Sequence, residues 1–490
     1  MNDAVNTAGW IAIVATALNL LIIGAIVVRV LLKRRQSGST AAWLLLVVML
    51  PYLGALLYLL IGERPLGRRR RNHSRKMIEK LEPWLQKFIE RLGLKSPPAV
   101  ADHLRGNISL GEGADGNPAL PCNHLELLDD AELILRSFIQ DIERAKSYCL
   151  IEFYIWNPGG TADEVAEALI AAAGRGVKCR VLLDDVGSAD FFRSHWPARL
   201  VGAGIEVRHA LPNRILSGSL RRRDLRMHRK IVVVDGEVAY TGSLNLVDPR
   251  YFNQDAGVGQ WVDAMARIEG PVVVGLAVLF AWDWSHEGGG SFEALTDELD
   301  VPLNMEAGDA LVQLIPSGPE YESSSIVPVL LNAIYSAREQ LTLTTPYFVP
   351  NDPLMIALCT AALRGVKVRL IVPHMVNSFL VRHASRSFFG ELLEAGVEVH
   401  LFEGGLLHTK SIVIDEQMAF FGTVNLDIRS LKLNFEVTLT IYDREFTSKL
   451  ARLCDSYIDA SKQLELDAWE KRPTRQRLVE NALHLMAPLL

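Results

Sequence analysis

Two long apolar stretches open the chain, and beyond about residue 110 the hydrophobic positions fall into shorter runs with strand and helix periods. Residues 8–28 (AGWIAIVATALNLLIIGAIVV) carry no charge and predict a helix of roughly 31 Å, about the thickness of a bilayer's hydrocarbon core. Residues 41–62 (AAWLLLVVMLPYLGALLYLLIG) predict a second, with Pro51 and Gly54 as points where it could kink or turn back. A cleaved leader is the rival reading of the first stretch. It is disfavoured because no Lys or Arg precedes the stretch and no small-residue cleavage site leads into a mature domain.

Further on, "CLIEFYIW" (149–156) reads as a strand. Thr161 with Glu164 has the spacing of a capping box before the helix "ADEVAEALIAAAG", and "VKCRVLLDD" reads as the next strand, which makes a βαβ unit. The order recurs in "LTLTTPYFVP" (341–350), "PLMIALCTAALRG" and "VKVRLIVP". Landmarks fix the repeat: "RGVKCR" at 175–180 answers "RGVKVR" at 364–369, and "AGIEV" at 203–207 answers "AGVEV" at 395–399. The offset shrinks to 180 at His228 and His408, so the first copy holds about 12 extra residues before its histidine, among them Arg221, Arg222, Arg223 and Arg226. The predicted fold is α/β, a duplicated domain in a pseudo-twofold pair preceded by two transmembrane helices. Its expected parts are 1–64 for the spans, 65–110 for a basic juxtamembrane linker, 111–300 and 301–475 for the two domains, and 476–490 for a C-terminal tail. A site at the junction of the halves is the natural expectation.

Charge sets the orientation. The loop between the spans carries Arg29, Lys33, Arg34 and Arg35, and the segment after them carries Arg64, Arg68, Arg69, Arg70, Arg71, Arg75 and Lys76. The larger cluster places the C-terminal portion in the cytoplasm, beside an anionic leaflet that attracts it. Beyond residue 76 there remain 40 basic against 55 acidic residues, a net of −15, which argues against a nucleic-acid-binding surface. The five cysteines are scattered, with no CxxC, and suggest neither a disulfide framework nor a zinc site.

The chemistry is concentrated in two stretches, "RMHRKIVVVDGEVAYTGSLN" (226–245) and "LLHTKSIVIDEQMAFFGTVN" (406–425). Each predicts a hairpin, the first with Asp235-Gly236 as a two-residue loop, pairing His228 with Ser243 and Lys230 with Thr241. The second sets His408 opposite Thr423 by the same rule. Each half thus offers an imidazole, an ammonium, a hydroxyl and an amide: His228, Lys230, Ser243 and Asn245, then His408, Lys410, Thr423 and Asn425. Lysine, hydroxyl and amide donors suit phosphoryl oxygens, and two imidazoles can divide attack from proton donation. Asp235 and Asp415 complete each motif but fall at the turn ends, roughly 17 Å from the histidines, where a structural role is expected.

These paired HxK(x4)D(x6)G[ST]xN motifs resemble those of the phospholipase D superfamily, in which both aspartates belong to the catalytic HKD signature. The likeness to one branch, bacterial cardiolipin synthases of the two-span Gram-negative type, extends over nearly the whole chain. It includes "LGALLYLLIGE", "FYIWNPGG", "VGSADFFRS", "DPRYFNQDAGVGQWVDAMARIEGP", "TTPYFVP", "SLKLNFE" and the terminal "APLL". The resemblance implies phosphatidyl transfer between two phosphatidylglycerols through a phosphohistidine, with release of glycerol, in a multi-pass protein of the bacterial inner membrane whose catalytic domains are cytoplasmic. It implies that Glu436 orients one histidine and Asp255 or Asp263 the other, and that His228 attacks while His408 protonates the leaving alcohol. One departure is the run His374, Met375, Val376 and Asn377, where relatives carry basic residues and an aspartate.

No cofactor or metal is expected: there is no GxxxxGK[ST] loop, no CDP-alcohol pattern and no His/Cys/carboxylate cluster. The expected partners are phosphatidylglycerol and anionic membrane lipid. A membrane-bound hydrolase differs from a transferase only in whether water outcompetes an alcohol, a ratio sequence does not set. A nuclease fits poorly with the apolar spans, and a scaffold built on a retired enzyme fits poorly with eight intact polar positions.

Overall fold

The computed structural model describes residues 2–32, 37–58, 70, 77, 81, 83–85, 87–92, 100–212, 224–298, 304–320 and 326–485. Most of the basic clusters, including Lys33, Arg34, Arg35, Arg64, Arg68, Arg69 and Arg221 to Arg223, lie outside them. The chain divides into one unit of Met1–Asn72 with Arg214–Asp224 and another of His73–Asn213 with Leu225–Leu490.

In the first unit α1 (Asn2–Leu32) is one 31-residue helix with Arg29 in its last turn. The second helix expected over 41–62 is instead a helical hairpin, α2 (Ser37–Met49) and α3 (Pro51–Leu57). Pro51 has no N–H for the preceding turn, and Leu50 leaves the helical region at φ −132 and ψ 73. Trp43 and Tyr58 would lie about 22 Å apart on a straight helix. Their ring centroids are 5.5 Å apart. Gly54 permits this fold-back, since a Cβ there would come within 2.7 Å of the Leu46 carbonyl oxygen. Ile26, Val30, Trp43, Val47, Ala55 and Tyr58 form the small core that results. Side chains in α1 are described without interruption only from 16 to 32, and over the described residues no helix is long and apolar enough to cross a membrane.

The second unit is built on one 15-stranded sheet. In chain order its strands and two short accessory pairs are β1 (Ala119–Leu128), β2 (Tyr148–Phe153), β3 (Lys178–Asp184), β4 (Glu206–Ala210), β5 (Lys230–Val234), β6 (Val238–Gly242), β7 (Trp261–Val262), β8 (Met265–Glu269) and β9 (Ala310–Ser317). There follow β10 (Gln340–Thr344), β11 (Phe348–Val349), β12 (Lys367–Pro373), β13 (Glu398–Phe402), β14 (Leu406–Leu407), β15 (Ser411–Ile414), β16 (Met418–Gly422), β17 (Leu426–Asp427), β18 (Glu436–Ile441) and β19 (Ser461–Gln463). The first copy runs β1-β8-β6-β5-β2-β3-β4 and the second β9-β18-β16-β15-β10-β12-β13, closed by β19. The copies join where β1 pairs antiparallel with β9. The duplicated α/β architecture is therefore present, each copy with its own apolar core.

Two local expectations fail. Thr161 is not a cap: Gly160 occupies that position at φ 58, the Thr161 hydroxyl donates to Glu132, and Glu164 pairs with Arg136. The Asp248 carboxylate instead accepts the Thr161 N–H at 3.0 Å, so the helix start is held by a distant loop. The hairpin register is also one residue off, with Ile231 opposite Thr241 and Ser411 opposite Phe421. Asp235 at φ 53 and Gly236 at φ 67 make the turn, but Val234 pairs with Val238, so Glu237 is left over.

The turn aspartates act on the backbone. Asp235 accepts the N–H groups of Lys146, Ser147 and Tyr148 at 2.7–2.8 Å, and Asp415 those of Arg338, Glu339 and Gln340 at 2.8–2.9 Å. Each fastens the start of a neighbouring strand to its hairpin and stands at the end remote from the histidine, away from the groups with which the HKD signature includes it. Asp235→Asn and Asp415→Asn should each lower stability by about 2 kcal/mol while leaving turnover per folded molecule within about twofold. Denaturant melts alongside active-site-normalised rates check this; a large loss of turnover in the folded variant would contradict it.

Candidate active site

The two histidines are placed by the opposite halves of the fold. The His228 N–H bonds the Phe435 carbonyl at 2.9 Å, and Met227 bridges Phe435, so the chain before β5 lies along the chain entering β18. Likewise β14 pairs in parallel with β7, and the His408 N–H bonds the Val262 carbonyl at 2.8 Å. Phe435 precedes Glu436 and Val262 precedes Asp263. Each backbone bridge thus delivers a carboxylate to an imidazole of the other half.

The rings complete the exchange. His228 Nδ1 meets Glu436 Oε2 at 2.8 Å, and His408 Nδ1 meets Asp263 Oδ1 at 2.6 Å. With Nδ1 donating to a carboxylate, Nε2 of each ring is left with its lone pair. Ser243 and Thr423, expected to donate to phosphate, are committed elsewhere. Ser243 Oγ donates to Asp263 at 2.6 Å and accepts the Ala264 N–H, while Thr423 Oγ1 donates to Glu436 at 2.5 Å and accepts the Val437 N–H. Their hydroxyls hold the carboxylates that hold the rings. Asp255 is exposed on the short turn Gln254–Ala256, and Asp263 is the carboxylate at His408.

Lys230 Nζ donates to the His228 carbonyl at 2.8 Å, and Lys410 Nζ makes the same bond to His408. Asn245 accepts the Ile155 N–H at 3.2 Å, which leaves its buried Nδ2 without a partner at the cavity wall. Asn425 stands at the matching place and holds Asp427. The four polar groups of each half therefore come together, but one of the four, the hydroxyl, acts through a carboxylate.

Sequence reasoning missed several neighbours. Arg229, fully buried between His228 and Lys230, donates Nε to the Glu436 carbonyl at 3.1 Å and pairs with buried Asp283 on the helix Val272–His286. A buried arginine inside an apolar strand was the available signal. Tyr154 lies 5.0 Å from the His228 ring, brought there by the pairing of β2 with β5 in its own half, and Trp261 lies 4.3 Å from the His408 ring, brought there by the β7–β14 bridge between the halves. A cavity of about 360 Å³ joins both histidines, both asparagines, Tyr154, Trp261, Arg226, Arg429 and Asp427. Of the divergent run, Asn377 lines this cavity and accepts from the Tyr347 hydroxyl at 3.2 Å, whereas His374 is partly exposed beside Glu403.

Burial dominates the electrostatics. It pushes His228 down to about 4 and His408 down to about 3, against the pull of Glu436 and Asp263. It also lowers Lys230 to about 8 and carries Lys410 well below an ordinary lysine. Burial opposes the charge on Glu436 and Asp263, yet the facing histidine and lysines keep both below the usual carboxylate range. At neutral pH the site holds two neutral imidazoles, each hydrogen-bonded to a carboxylate, above at least one cationic lysine. An anion bound between them would supply the negative charge that lets one ring take a proton. Among the described residues no group of three or more His, Cys, Asp or Glu side chains converges as a metal site.

Residues 138–269 and 330–458 match the family model described as cardiolipin synthase, PLD-like domain, and residues 18–63 the model described as phospholipase D-nuclease N-terminal. The chain is 48% identical over 473 residues to a cardiolipin synthase A of Erwinia tasmaniensis, covering 96% of each chain. It is 44% identical over 492 residues to that of Shigella boydii serotype 4, covering 100% of each. Among solved structures, phosphatidylserine synthase of Haemophilus influenzae has a TM-score of 0.60 at 15% identity over 79% of this chain and 100% of that one, a likeness of fold.

The lysine charges make the site's pH response specific. A lysine held near 8 is protonated below that value and neutral above it, so kcat/KM should fall as pH rises through about 8. A pH–rate profile of Lys230→Arg that retains activity should move this alkaline limb upward; an unchanged limb would exclude Lys230 as its source.

Proposed function

Because the chain belongs to the PLD-like cardiolipin synthase family, we propose that its crossed imidazole–carboxylate pairs transfer a phosphatidyl group from one phosphatidylglycerol to another, giving cardiolipin and glycerol. The observation that carries this reading is the convergence of two such pairs on one cavity that Asn245 and Asn425 also line, with Lys230 and Lys410 bonded to the carbonyls of the two histidines. One Nε2 attacks phosphorus, the bond to the glycerol oxygen breaks, and the other imidazole, protonated as the anion binds, gives its proton to that oxygen. In the second step the now neutral imidazole takes a proton from the acceptor hydroxyl. That oxygen bonds phosphorus and the P–N bond breaks. One phosphodiester is consumed and one is formed, so no nucleotide enters the balance. The lysines and asparagine amides stabilise charge on the non-bridging oxygens.

His228 is the proposed nucleophile and His408 the proton donor. Purified protein with phosphatidylglycerol alone should yield cardiolipin and glycerol; phosphatidic acid as sole product would assign a hydrolase. His408→Ala should lose this activity yet form some phosphoenzyme with a p-nitrophenyl ester, whose leaving group needs no proton, whereas His228→Ala should form none. Phosphate trapped on His408 in the His228→Ala protein would reverse the two roles.

The N-terminal unit is the proposed anchor in the bacterial cytoplasmic membrane, with the catalytic halves on the cytoplasmic side. The family model matched by residues 18–63 and the exposed apolar side chains Trp10, Ile13, Leu20, Leu21, Leu45, Val48, Met49 and Leu53 support anchoring. In this reading α1, 31 residues long, makes the one crossing, and the hairpin supports a re-entrant second segment: 13 residues of α2 reach about 20 Å, short of a ~30 Å hydrocarbon core. A segment that returns to its own side leaves the clusters Arg29–Arg35 and Arg64–Lys76 both in the cytoplasm, as the positive-inside rule favours, whereas two complete spans would expose one of them. In a background lacking native cysteines, Ser37→Cys and Asn72→Cys should both resist impermeant maleimide in intact cells, and Asn2→Cys should label. Labelling at position 37 would restore two full spans.

A further inference from the structure

The lining of the cavity is symmetric in part. His228 and Asn245 recur as His408 and Asn425, with Lys230 and Lys410 each bonded to the carbonyl of its own histidine. The rest of the lining, its rim, differs. The Trp261 ring lies against His408 and the Tyr154 ring against His228, and Arg226 and Arg429 both act on Tyr154. The repeat does not double them in the lining: Leu406 stands 180 residues from Arg226, and Arg250, which follows Asp248 as Arg429 follows Asp427, bonds Asp248 and Glu132 instead. Arg226 is set by the bridge to Phe435 and Arg429 by the turn that leads into it. The Arg226 carbonyl accepts the Phe435 N–H at 2.9 Å, and the Arg429 carbonyl accepts the N–H groups of Leu433 and Asn434 at 2.7 and 2.9 Å. Asp427 is the one carboxylate among the described residues lining the cavity, so its balance is cationic.

We propose that Arg226 and Arg429 form a second anion subsite, which holds the non-reacting phosphodiester of the acceptor phospholipid. This rests on the phosphatidyl-transfer reading above and specifies its acceptor. The two phosphorus atoms of the product are joined through one glycerol, a path that spans roughly 6 Å at about 1.5 Å per bond with its angles. When one phosphorus lies between the imidazoles, the other is therefore at the rim. Guanidinium groups suit it there, because their planar donors match phosphate oxygens and stay charged beside other cations. The groups common to both halves recognise any phosphodiester and any alcohol. A cationic rim adds preference for an alcohol that itself carries a phosphate, and so favours phosphatidylglycerol over water or free glycerol as acceptor.

The test uses the full chain in mixed micelles, with Arg226→Gln, Arg429→Gln and the charge-retaining Arg429→Lys. Two reactions share the donor step: cardiolipin formation, and exchange of labelled free glycerol into phosphatidylglycerol, whose acceptor is uncharged. Each Gln variant should cut cardiolipin formation about tenfold or more through the acceptor's apparent KM, while glycerol exchange stays within about threefold. Arg429→Lys should recover part of the loss. Parallel loss of both reactions in folded Gln variants would assign the arginines to the reacting phosphate and overturn the proposal, as would equal cardiolipin yield in all variants. Failure of the unaltered protein to make cardiolipin would instead sink the transfer reading itself.

Discussion

Two hydrogen bonds that cross between the copies, His228 to Glu436 and His408 to Asp263, are the constraint on which the site depends. Neither copy contains a complete imidazole–carboxylate pair. The backbone bridges Met227–Phe435 and β7–β14 bring the partners together, so the seam between halves is a requirement of the chemistry as well as of packing. The continuous sheet through β1 and β9 holds the seam rigid, and the second layer of bonds fixes each carboxylate from behind. Ser243 and Thr423 do this through their hydroxyls, and Asn434 adds a bond to Glu436 at 3.2 Å.

Such a site is costly to fold. Two lysines, two histidines and two carboxylates lie almost wholly out of water, and the depressed values of His228, His408 and Lys230 express that burial. Ionised groups are tolerated in such places only when paired and hydrogen-bonded. The lysines meet this condition through the carbonyls of their own histidines, which also fixes the spacing of two residues in HxK: the ammonium must reach back along one face of the strand. Arg229 and Asp283 are a deeper ion pair with no counterpart in the second motif, where Thr409 meets the Tyr457 hydroxyl at 3.1 Å. The two half-sites are thus supported by different means although their working groups agree.

Much of this was legible in the chain. The duplication, the alternation of strands and helices and both HxK pairs follow from spacing, because a polar pattern that recurs at constant intervals within apolar strands marks a repeated unit with a shared task. The failures share one cause. The roles of Ser243 and Thr423 depend on where Asp263 and Glu436 arrive from the far side of the molecule, and no local period encodes that. Thr161 and Glu164 have the spacing of a cap but are drawn away by Glu132 and Arg136. The hairpin register slipped by one because a turn with two positive-φ residues is followed by a residue outside the ladder. At the N-terminus, hydropathy counts apolar residues but not direction, and Pro51 with Gly54 reverses a segment whose composition suits a span.

Near-symmetry has a consequence for how the two histidines acquire different tasks. Both rings are neutral at neutral pH, and both are oriented in the same way, so the protein alone sets no strong difference of protonation between them. A general acid is needed on one side of phosphorus and a lone pair on the other. The bound phosphodiester has to create that difference, because a single proton taken up by two rings facing one anion settles on the ring nearer the leaving oxygen. Once the alcohol has left, the same ring is the neutral base that the next alcohol requires. What distinguishes the two sides before any proton moves is the rest of the lining: the Trp261 indole against His408, and against His228 the Tyr154 ring on which Arg226 and Arg429 act. Duplication supplies two equivalent half-sites, and divergence at residues outside the motifs gives the cavity a direction.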